Sequence, residues 1–282
     1  MQRTGHLLAC TLLACATSLS AQNVWQLTAP PNSGPPAAAS PGLAYCLSTN
    51  TSILYGGTAG GVTSNQTWQY DGATATWTQL FPTTDPGPRH TFGICYDSVR
   101  DVVVVLGGRL DSSSTPYSDT WEYAPLTNTW TNVTPTSGPS PQGRWGCAMT
   151  FDILRGVCVL HGGWGGGGVG FVNNTWEWDG TSWTQVLTAN VPSPRDRTGF
   201  CYDLVRARCV LFGGTGGNSA QTWEYDGVDW TQATTANTPA ARLDHAMAYD
   251  SARGRVVMFG GEDSGFYTLD DTWELGLPGN AA

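Results

Sequence analysis

Five pairs of consecutive glycines, nearly evenly spaced, constrain the fold of this chain more than any other feature. Successive pairs are separated by 51, 55, 51 and 47 residues, and they begin at Gly56, Gly107, Gly162, Gly213 and Gly260. A Thr-Trp dipeptide follows each pair, with the tryptophans at Trp68, Trp121, Trp176, Trp223 and Trp273. Regular self-similarity of this length predicts one supersecondary unit repeated five times in a single array.

Each repeat has the pattern of four short β-strands. In the second repeat we predict strands over residues 90–96, 102–106, 120–123 and 129–133, with a tight turn at 97–100. The stretch 102–106 is continuously apolar, which is typical of a strand buried on both faces. The glycine pair that follows can take backbone conformations that other residues resist. We place the repeats at about 42–80, 89–133, 144–187, 195–233 and 242–275.

The fifth repeat lacks its second tryptophan. The first four repeats supply this residue as Trp77, Trp130, Trp183 and Trp230. The missing residue has a counterpart at the other end of the chain, Trp25, within the strand-like segment 24–28. We therefore predict that residues 24–28 complete the last unit and close the array, which removes an open sheet edge.

These repeats resemble those of the kelch family. A strand followed by Gly-Gly, and then by an aromatic pair on two further strands, is the kelch pattern, and residues 246–261 and 174–184 are similar to its bacterial form. The resemblance implies an all-β fold, a kelch-type β-propeller with five four-stranded blades. Six or seven blades are more usual in that family. It also implies a single domain over residues 22–282.

Composition and the N-terminus narrow the functional classes. The net charge of −9 argues against nucleic acid as a partner, and because all 13 basic residues are Arg, lysine Schiff-base and P-loop chemistry are excluded. No segment after the N-terminus is apolar for the length of a membrane span. Residues 1–21 have the pattern of a signal peptide, which predicts a secreted or periplasmic protein; a lipid anchor at Cys15 is the alternative. Six later cysteines fall in predicted strand interiors, where we expect them to act as apolar filler.

Comparison of the repeats with one another separates scaffold from function. Four repeats carry an Arg eighteen residues before the glycine pair, here called the leading arginines: Arg89, Arg144, Arg195 and Arg242. The same four repeats carry a Glu after the Thr-Trp dipeptide: Glu122, Glu177, Glu224 and Glu274. Because the first repeat lacks both, we predict that each leading arginine pairs with the Glu of its own repeat. The alternative is a ring of these arginines that binds an anion. An Asp and an Arg three residues apart are predicted to stabilise the turn between the first two strands.

Loops that differ between repeats are the candidates for function. In a four-stranded blade, the loop that enters the first strand and the loop that leaves the second emerge on the same face. On that face we predict a ligand-binding site with six members: Trp145, Trp164, Arg109, Arg197, Glu262 and Tyr267. Trp145 and Trp164 are surplus to the repeat pattern, belong to one repeat and are expected to lie near one another.

The prediction for function is a binding module for a protein or a carbohydrate, acting as a monomer. Kelch-type relatives also include enzymes, so the alternative is a sugar-modifying enzyme similar to sialic acid epimerases. A copper oxidase fits less well, because the sequence pattern does not allow its set of two His, two Tyr and a Tyr joined to a Cys to be placed. The sequence singles out no catalytic residue, metal ligand or cofactor.

Overall fold

The protein folds into blades of antiparallel β-sheet. A computed structural model describes residues 34–216 and 220–276, which contain 21 strands. They form four sheets of four strands, one sheet of three strands and one two-stranded hairpin. The expectation of an all-β propeller with five blades is confirmed. The predicted signal peptide, the alternative lipid anchor at Cys15 and the predicted closing strand 24–28 lie outside the described residues.

The strands follow the repeats in order. Blade 1 contains β1 (Gly42–Cys46), β2 (Thr51–Tyr55), the hairpin of β3 (Thr58–Ala59) and β4 (Val62–Thr63), β5 (Thr67–Asp71) and β6 (Thr76–Leu80). Blade 2 contains β7 (Gly93–Asp97), β8 (Val102–Leu106), β9 (Thr120–Ala124) and β10 (Thr129–Asn132). Blade 3 contains β11 (Ala148–Asp152), β12 (Val157–His161), β13 (Thr175–Trp178) and β14 (Trp183–Val186). Blade 4 contains β15 (Gly199–Asp203), β16 (Arg208–Phe212), β17 (Thr222–Tyr225) and β18 (Trp230–Ala233). Blade 5 contains β19 (Ala246–Asp250), β20 (Arg255–Phe259) and β21 (Thr272–Leu275).

The first strand of each blade faces the centre of the array. β1 packs against β7, β7 against β11, β11 against β15, and β15 against β19. All five of these strands line one central channel. The second strands lie behind them and form the core; in β8, residues 103–106 are completely buried. The six cysteines, Cys46, Cys95, Cys147, Cys158, Cys201 and Cys209, are free and buried among these strands.

The glycine pairs of blades 1 to 4 each join their blade to the next blade. The second glycine donates its N–H to the carbonyl oxygen of the following leading arginine, as Gly108 does to Arg144 at 2.8 Å. The first glycine has a positive φ, and a Cβ on Gly107 would lie 2.4 Å from that same carbonyl oxygen. The pairs recur in the sequence because this contact between blades leaves no room for a side chain.

A tryptophan on the fourth strand makes the second contact between blades. Its indole Nε1 donates to the hydroxyl of the threonine that begins the third strand of the preceding blade. This Trp–Thr latch joins Trp130 to Thr67 at 3.1 Å, Trp183 to Thr120 at 2.9 Å and Trp230 to Thr175 at 2.8 Å. All six residues are at most 2% exposed. The indoles therefore bury a large apolar surface with their one donor satisfied.

The predicted pairing of leading arginines with glutamates is wrong. Glu122 accepts a hydrogen bond at 2.5 Å from Arg100, the turn arginine, which also binds Asp97 at 2.7 Å. The same triad of turn Asp, turn Arg and Glu occurs in blades 3, 4 and 5. Glu122 lies on β9, three residues after Asp119, and is therefore about 10 Å closer than Asp119 to the turn between the first two strands. The first repeat lacks the Glu because it lacks the turn pair. The predicted Asp–Arg turn contact is confirmed.

The leading arginines bind the residue two positions before the third-strand tryptophan. Arg89 donates to both carboxylate oxygens of Asp119, at 2.7 and 3.0 Å, and Arg242 binds Asp271 in the same way. The other two have amide partners: Arg144 binds Asn174 and Arg195 binds Gln221. The four arginines are at most 1% exposed and also donate to backbone carbonyls, so the alternative of an anion-binding ring is wrong too.

The boundary between blade 5 and blade 1 differs from the other four. Leu43 and Tyr45 of β1 in blade 1 and Phe259 of β20 in blade 5 are 57%, 52% and 49% exposed. Trp77 is only half-buried and Thr272 is exposed, whereas their equivalents in the three latches are buried. Among the residues that the structure describes, no Trp–Thr latch crosses the seam.

Candidate functional site

The variable residues meet on one face because the strand ends bring them together in pairs. In each blade, the residue after the leading position lies beside the residue after the glycine pair. These partners share backbone hydrogen bonds in blades 1, 2, 3 and 5: Ala39 with Thr58, His90 with Arg109, Trp145 with Trp164, and Leu243 with Glu262. In blade 4, the N–H of Thr215 donates to the carbonyl of Asp196. The sequence prediction that both loops emerge on one face is confirmed.

An open chain of four backbone hydrogen bonds runs from blade 1 to blade 5 at the mouth of the channel. The N–H of Thr91 donates to Ser40, that of Gly146 to Thr91, that of Arg197 to Gly146 and that of Asp244 to Arg197, at 2.6 to 3.3 Å. All five residues have φ between 52° and 64°. Four of them are not glycine, and left-handed backbone costs such residues roughly 1–2 kcal/mol. This chain of hydrogen bonds therefore stabilises a strained backbone at positions where the blades carry different residues.

Trp145, Trp164, Phe171 and Arg109 form a continuous group that we call the aromatic shelf. The ring centroids of Trp145 and Trp164 are 6.3 Å apart, and Phe171 meets Trp164 edge-on at 4.7 Å. The guanidinium of Arg109 lies 4.6 Å from the centroid of a Trp145 ring. All four side chains are half-buried. The shelf thus combines three aromatic rings with a cation stacked at one end.

At the blade 2 end of the shelf, next to Arg109, His90 and Asp111 form a polar pair. Asp111 lies 3.0 Å from Nε2 of His90, which neighbours Arg109 through the backbone pair. Asp111 also accepts hydrogen bonds from Thr58 and Thr63 of blade 1. Burial lowers the pKa of His90 despite the attraction of Asp111, so this imidazole is neutral at pH 7. The group connects blades 1 and 2 beside the shelf.

On the blade 4 and blade 5 side of the channel mouth lies a group that we call the channel-mouth cluster: Asp196, Arg197, Asp244 and His245. Arg197 stands between two carboxylates, with Nε 3.6 Å from Asp196 and Nη1 3.3 Å from Asp244. Arg197, Asp244 and His245 line an open cavity of about 500 Å³ together with residues 40–43, 91, 92, 94, 146, 147 and 198. The cluster therefore faces the space that the five blades share.

The electrostatics of the channel-mouth cluster are unusual. Burial raises the pKa of both Asp196 and Asp244 above the ordinary value, although Arg197 opposes the shift. Asp196 is 1% exposed, and its Oδ2 has no hydrogen-bond partner. Burial also lowers the pKa of His245 to about 4, so the ring is neutral at physiological pH. Carboxyl groups whose pKa is raised in a cleft are the kind of group that can exchange protons with a ligand.

The six residues singled out from the sequence fall in three places. Trp145, Trp164 and Arg109 lie together in the aromatic shelf, and the expected proximity of the two tryptophans is confirmed. Arg197 belongs to the channel-mouth cluster. The remaining two are in blade 5, where Glu262 forms backbone bridges with Leu243 and Thr268, and Tyr267 is 74% exposed on the loop tip.

The six residues predicted from the sequence did not include four that the structure places in these groups: Phe171, Asp196, Asp244 and His245. Phe171 completes the shelf, and the sequence could have indicated it, because it lies in the same variable loop as Trp164. Asp196 and Asp244 flank Arg197; their signal was that no other repeat has an acid at either position. Residues 34–216 and 220–276 contain no group of three or more His, Cys, Asp or Glu arranged to hold a metal ion. In the same ranges, no helix has the length and hydropathy needed to cross a bilayer.

Comparisons with known proteins agree with the architecture. A family model described as the KLHDC2/KLHL20/DRC7 kelch-repeats domain matches residues 10–163. A solved structure titled "Structure of YjhT" superposes with a TM-score of 0.68 at 14% identity, covering 86% of this chain and 82% of that chain. At this identity the likeness concerns the fold alone. No curated protein matches the sequence.

Proposed function

Because this chain belongs to the kelch-repeat family, whose propellers are generally interaction modules, we propose that it binds a carbohydrate or protein ligand on the face that carries the aromatic shelf. The observation that carries the proposal is the contiguity of Trp145 and Trp164 with Phe171 and Arg109. Neither tryptophan is part of the repeated contact between blades, which the latch tryptophans make.

The chemistry of the shelf suits a sugar. The C–H face of a pyranose packs on indole rings, and the guanidinium of Arg109 and the carboxylate of Asp111 beside it can bond to hydroxyl groups. A protein ligand would use the same rings, since Trp and Arg are the residues that most often dominate an interface. The neighbouring loop at 165–168 consists of four glycines, of which the last two have no atom within 4 Å of a Cβ position. A ligand can therefore approach the rings closely.

The proposal is tested by screening, with one arm for each ligand class. Labelled protein is applied to a glycan array and, in parallel, used as bait for extracellular proteins. The double variant Trp145→Ala/Trp164→Ala is compared with Phe81→Ala, which removes an aromatic side chain that is 77% exposed. We expect the double variant to lose the signals and the control to keep them. If the double variant, still folded by circular dichroism, keeps every signal, the shelf is not the binding site.

A sugar-modifying enzyme is the second candidate, and the channel-mouth cluster favours it. Asp244 is half-exposed beside the cavity, and burial raises its pKa, so it is better able to donate a proton near neutral pH than an ordinary carboxyl. Nuclear magnetic resonance of sialic acid and of common reducing sugars would detect faster interconversion of their stereoisomers in the presence of the protein. If the protein is such an enzyme, the parent protein should accelerate this interconversion and Asp244→Asn should not. An inactive parent removes this candidate.

A further inference from the structure

In blade 1 an alanine, Ala38, stands where the other four blades carry a leading arginine. The Cβ atom of Ala38 occupies the same place as theirs. A Cβ added to Gly57, the second glycine of the blade 1 pair, would lie 3.1 Å from the Cβ of Ala38, and one added to Gly108 in blade 2 would lie 3.4 Å from the Cβ of Arg89. Blade 1 therefore has the backbone of the leading position without the guanidinium side chain beyond Cβ.

Blade 1 keeps the acceptors that a leading arginine uses elsewhere. In blades 2 to 5, Nε of the arginine donates to the carbonyl two residues before it, and Nη1 donates to the carbonyl of the first glycine of the pair, at 2.9–3.5 Å. The equivalent carbonyls in blade 1 belong to Pro36 and Gly56. The side-chain partner, two positions before the third-strand tryptophan, is Gln66. All three residues line one cavity of about 360 Å³, together with Ala38.

Gln66 is held in the orientation that binds an arginine in blade 4. There, Oε1 of Gln221 accepts hydrogen bonds from Nε1 of Trp223 at 3.0 Å and from Nη2 of Arg195 at 3.1 Å. In blade 1, Oε1 of Gln66 accepts from Nε1 of Trp68 at 3.0 Å. An amide oxygen has two lone pairs, so it can accept a second hydrogen bond beside the first. The indole of Trp68 therefore fixes an acceptor at the place where a guanidinium would lie.

The cavity is accessible to solvent and has carboxylates near its rim. Ala38 is exposed, whereas the leading arginines are at most 1% exposed. Two residues that line the cavity donate hydrogen bonds to carboxylates: Asn65 to Asp85 at 3.1 Å, and Thr63 to Asp111 at 3.4 Å. The negative charge of Asp85 and Asp111 favours a cation at this place over an anion.

We propose that this cavity binds a guanidinium group of a separate molecule, in the place that the leading arginine side chain fills in the other blades. The ligand donates to the carbonyls of Pro36 and Gly56 and to Oε1 of Gln66. A guanidinium presents five N–H donors in a rigid plane, which suits acceptors arranged around an arginine, whereas an ammonium is a point charge with three donors. A small guanidine compound and an arginine side chain of a partner protein share this chemistry. The site goes beyond the proposed ligand site, because the aromatic shelf lies in blades 2 and 3.

Titration of the full chain with ethylguanidinium tests the site, because this ion is the part of an arginine side chain beyond Cβ. The backbone amide signals of Gly56 and Gly57 in nuclear magnetic resonance spectra report binding. We expect a saturable shift, with a Kd at least about tenfold lower than that of ethylurea, a neutral compound of the same shape, because hydrogen bonds from a charged donor are stronger.

Three variants show whether the ion occupies the arginine position. Ala38→Arg should abolish binding and raise the melting temperature by at least about 2 °C, because its own guanidinium takes the site. Ala73→Arg adds the same charge at an exposed turn and should bind like the parent. Gln66→Glu introduces a carboxylate, the group that Asp119 supplies to Arg89, and should lower the Kd of ethylguanidinium about fivefold while leaving that of ethylurea unchanged.

Two further probes identify the source of the group. If a blocked Gly-Arg-Gly peptide binds at least as tightly as ethylguanidinium, and its Gly-Lys-Gly counterpart binds more weakly, the ligand is an arginine side chain of a partner protein. If ethylguanidinium and agmatine bind and the arginine peptide does not, the ligand is a small guanidine compound. The proposal is overturned if the parent shows no saturable shift at Gly56 and Gly57, if ethylurea binds as tightly as ethylguanidinium, or if Ala38→Arg binds the ion as the parent does.

Discussion

Replacing Asn174 by Asp tests how the buried arginines are neutralised. Arg144 is completely buried; its Nη1 donates to Gly162 and Asn174, at 3.0 and 2.8 Å, and its Nη2 has no partner. Burial lowers the pKa of this guanidinium to about 10, because no carboxylate pairs with its positive charge. Arg89 occupies the same place in blade 2 and binds both oxygens of Asp119. Asn174→Asp would give Arg144 the same pair of acceptors.

The expected gain follows from the blade 2 geometry. A hydrogen bond to a charged group contributes about 1.5–3 kcal/mol, and because the carboxylate at this position is 26% exposed in Asp119, we expect about 2 kcal/mol. For a domain of this size that is a rise in melting temperature of roughly 4–8 °C. The reverse change, Asp119→Asn, should cost about as much.

The pH dependence of this gain has a definite sign. In blade 5, the hydrogen bond from Arg242 lowers the pKa of Asp271 below its ordinary value. The carboxyl introduced by Asn174→Asp, with its folded pKa lowered in the same way, would stabilise the protein fully above the unfolded value of about 3.9. The gain would disappear as the pH falls through the folded value. Urea melts of the parent and Asn174→Asp at pH 7 and below pH 3 measure this, with Asn173→Asp as control. A variant no more stable than the parent at pH 7, or equally favoured at both pH values, refutes the reasoning.

Three further tests, each by substitution, concern other parts of the scaffold. Burial and two nearby arginines lower the pKa of His161 to about 3, so stability should fall as the pH drops from 6.5 towards 3; His161→Leu should flatten that slope by up to about 1.4 kcal/mol per pH unit in urea melts. Arg206 is 15% exposed and Arg253 is 47% exposed, so Arg206→Ala should cost about 2–3 kcal/mol and Arg253→Ala clearly less; equal losses would contradict the role of burial. Gly213→Ala should lower the melting temperature more than Gly61→Ala, because both have positive φ but only Gly213 has a backbone oxygen 2.4 Å from the added carbon.

The repeat spacing predicts much of this fold because one local pattern is used five times. The glycine pairs, the strand order and the Asp–Arg turns all follow from residues that are close in sequence, and the structure confirms them. The common face of the loops was predictable for the same reason, since it depends only on which strand ends meet. The six buried cysteines likewise follow from the strand pattern.

The contacts of Arg89 were not predictable from residue counts. The first repeat lacks both a leading arginine and a Glu after the Thr-Trp dipeptide, which suggested that the two residues pair. The Glu is absent for a different reason, because Glu122 pairs with the turn arginine Arg100. The actual partners of the leading arginines vary from Asp to Asn and Gln, which conceals the pattern in the sequence. The contacts of Arg197 were equally hidden. Its neighbour Asp244 comes from the next blade, 47 residues away, and only the packing of the blades brings them together.

Calorimetry of the best ligand from the glycan or protein screen tests the central claim most directly. Titration into the parent and into the single variants Trp145→Ala and Trp164→Ala measures what each ring contributes. The account predicts a loss of about 2 kcal/mol or more for each, which is roughly a thirtyfold rise in Kd, with Phe81→Ala unchanged. Unchanged affinity in both tryptophan variants would contradict it and would place the ligand elsewhere on the propeller.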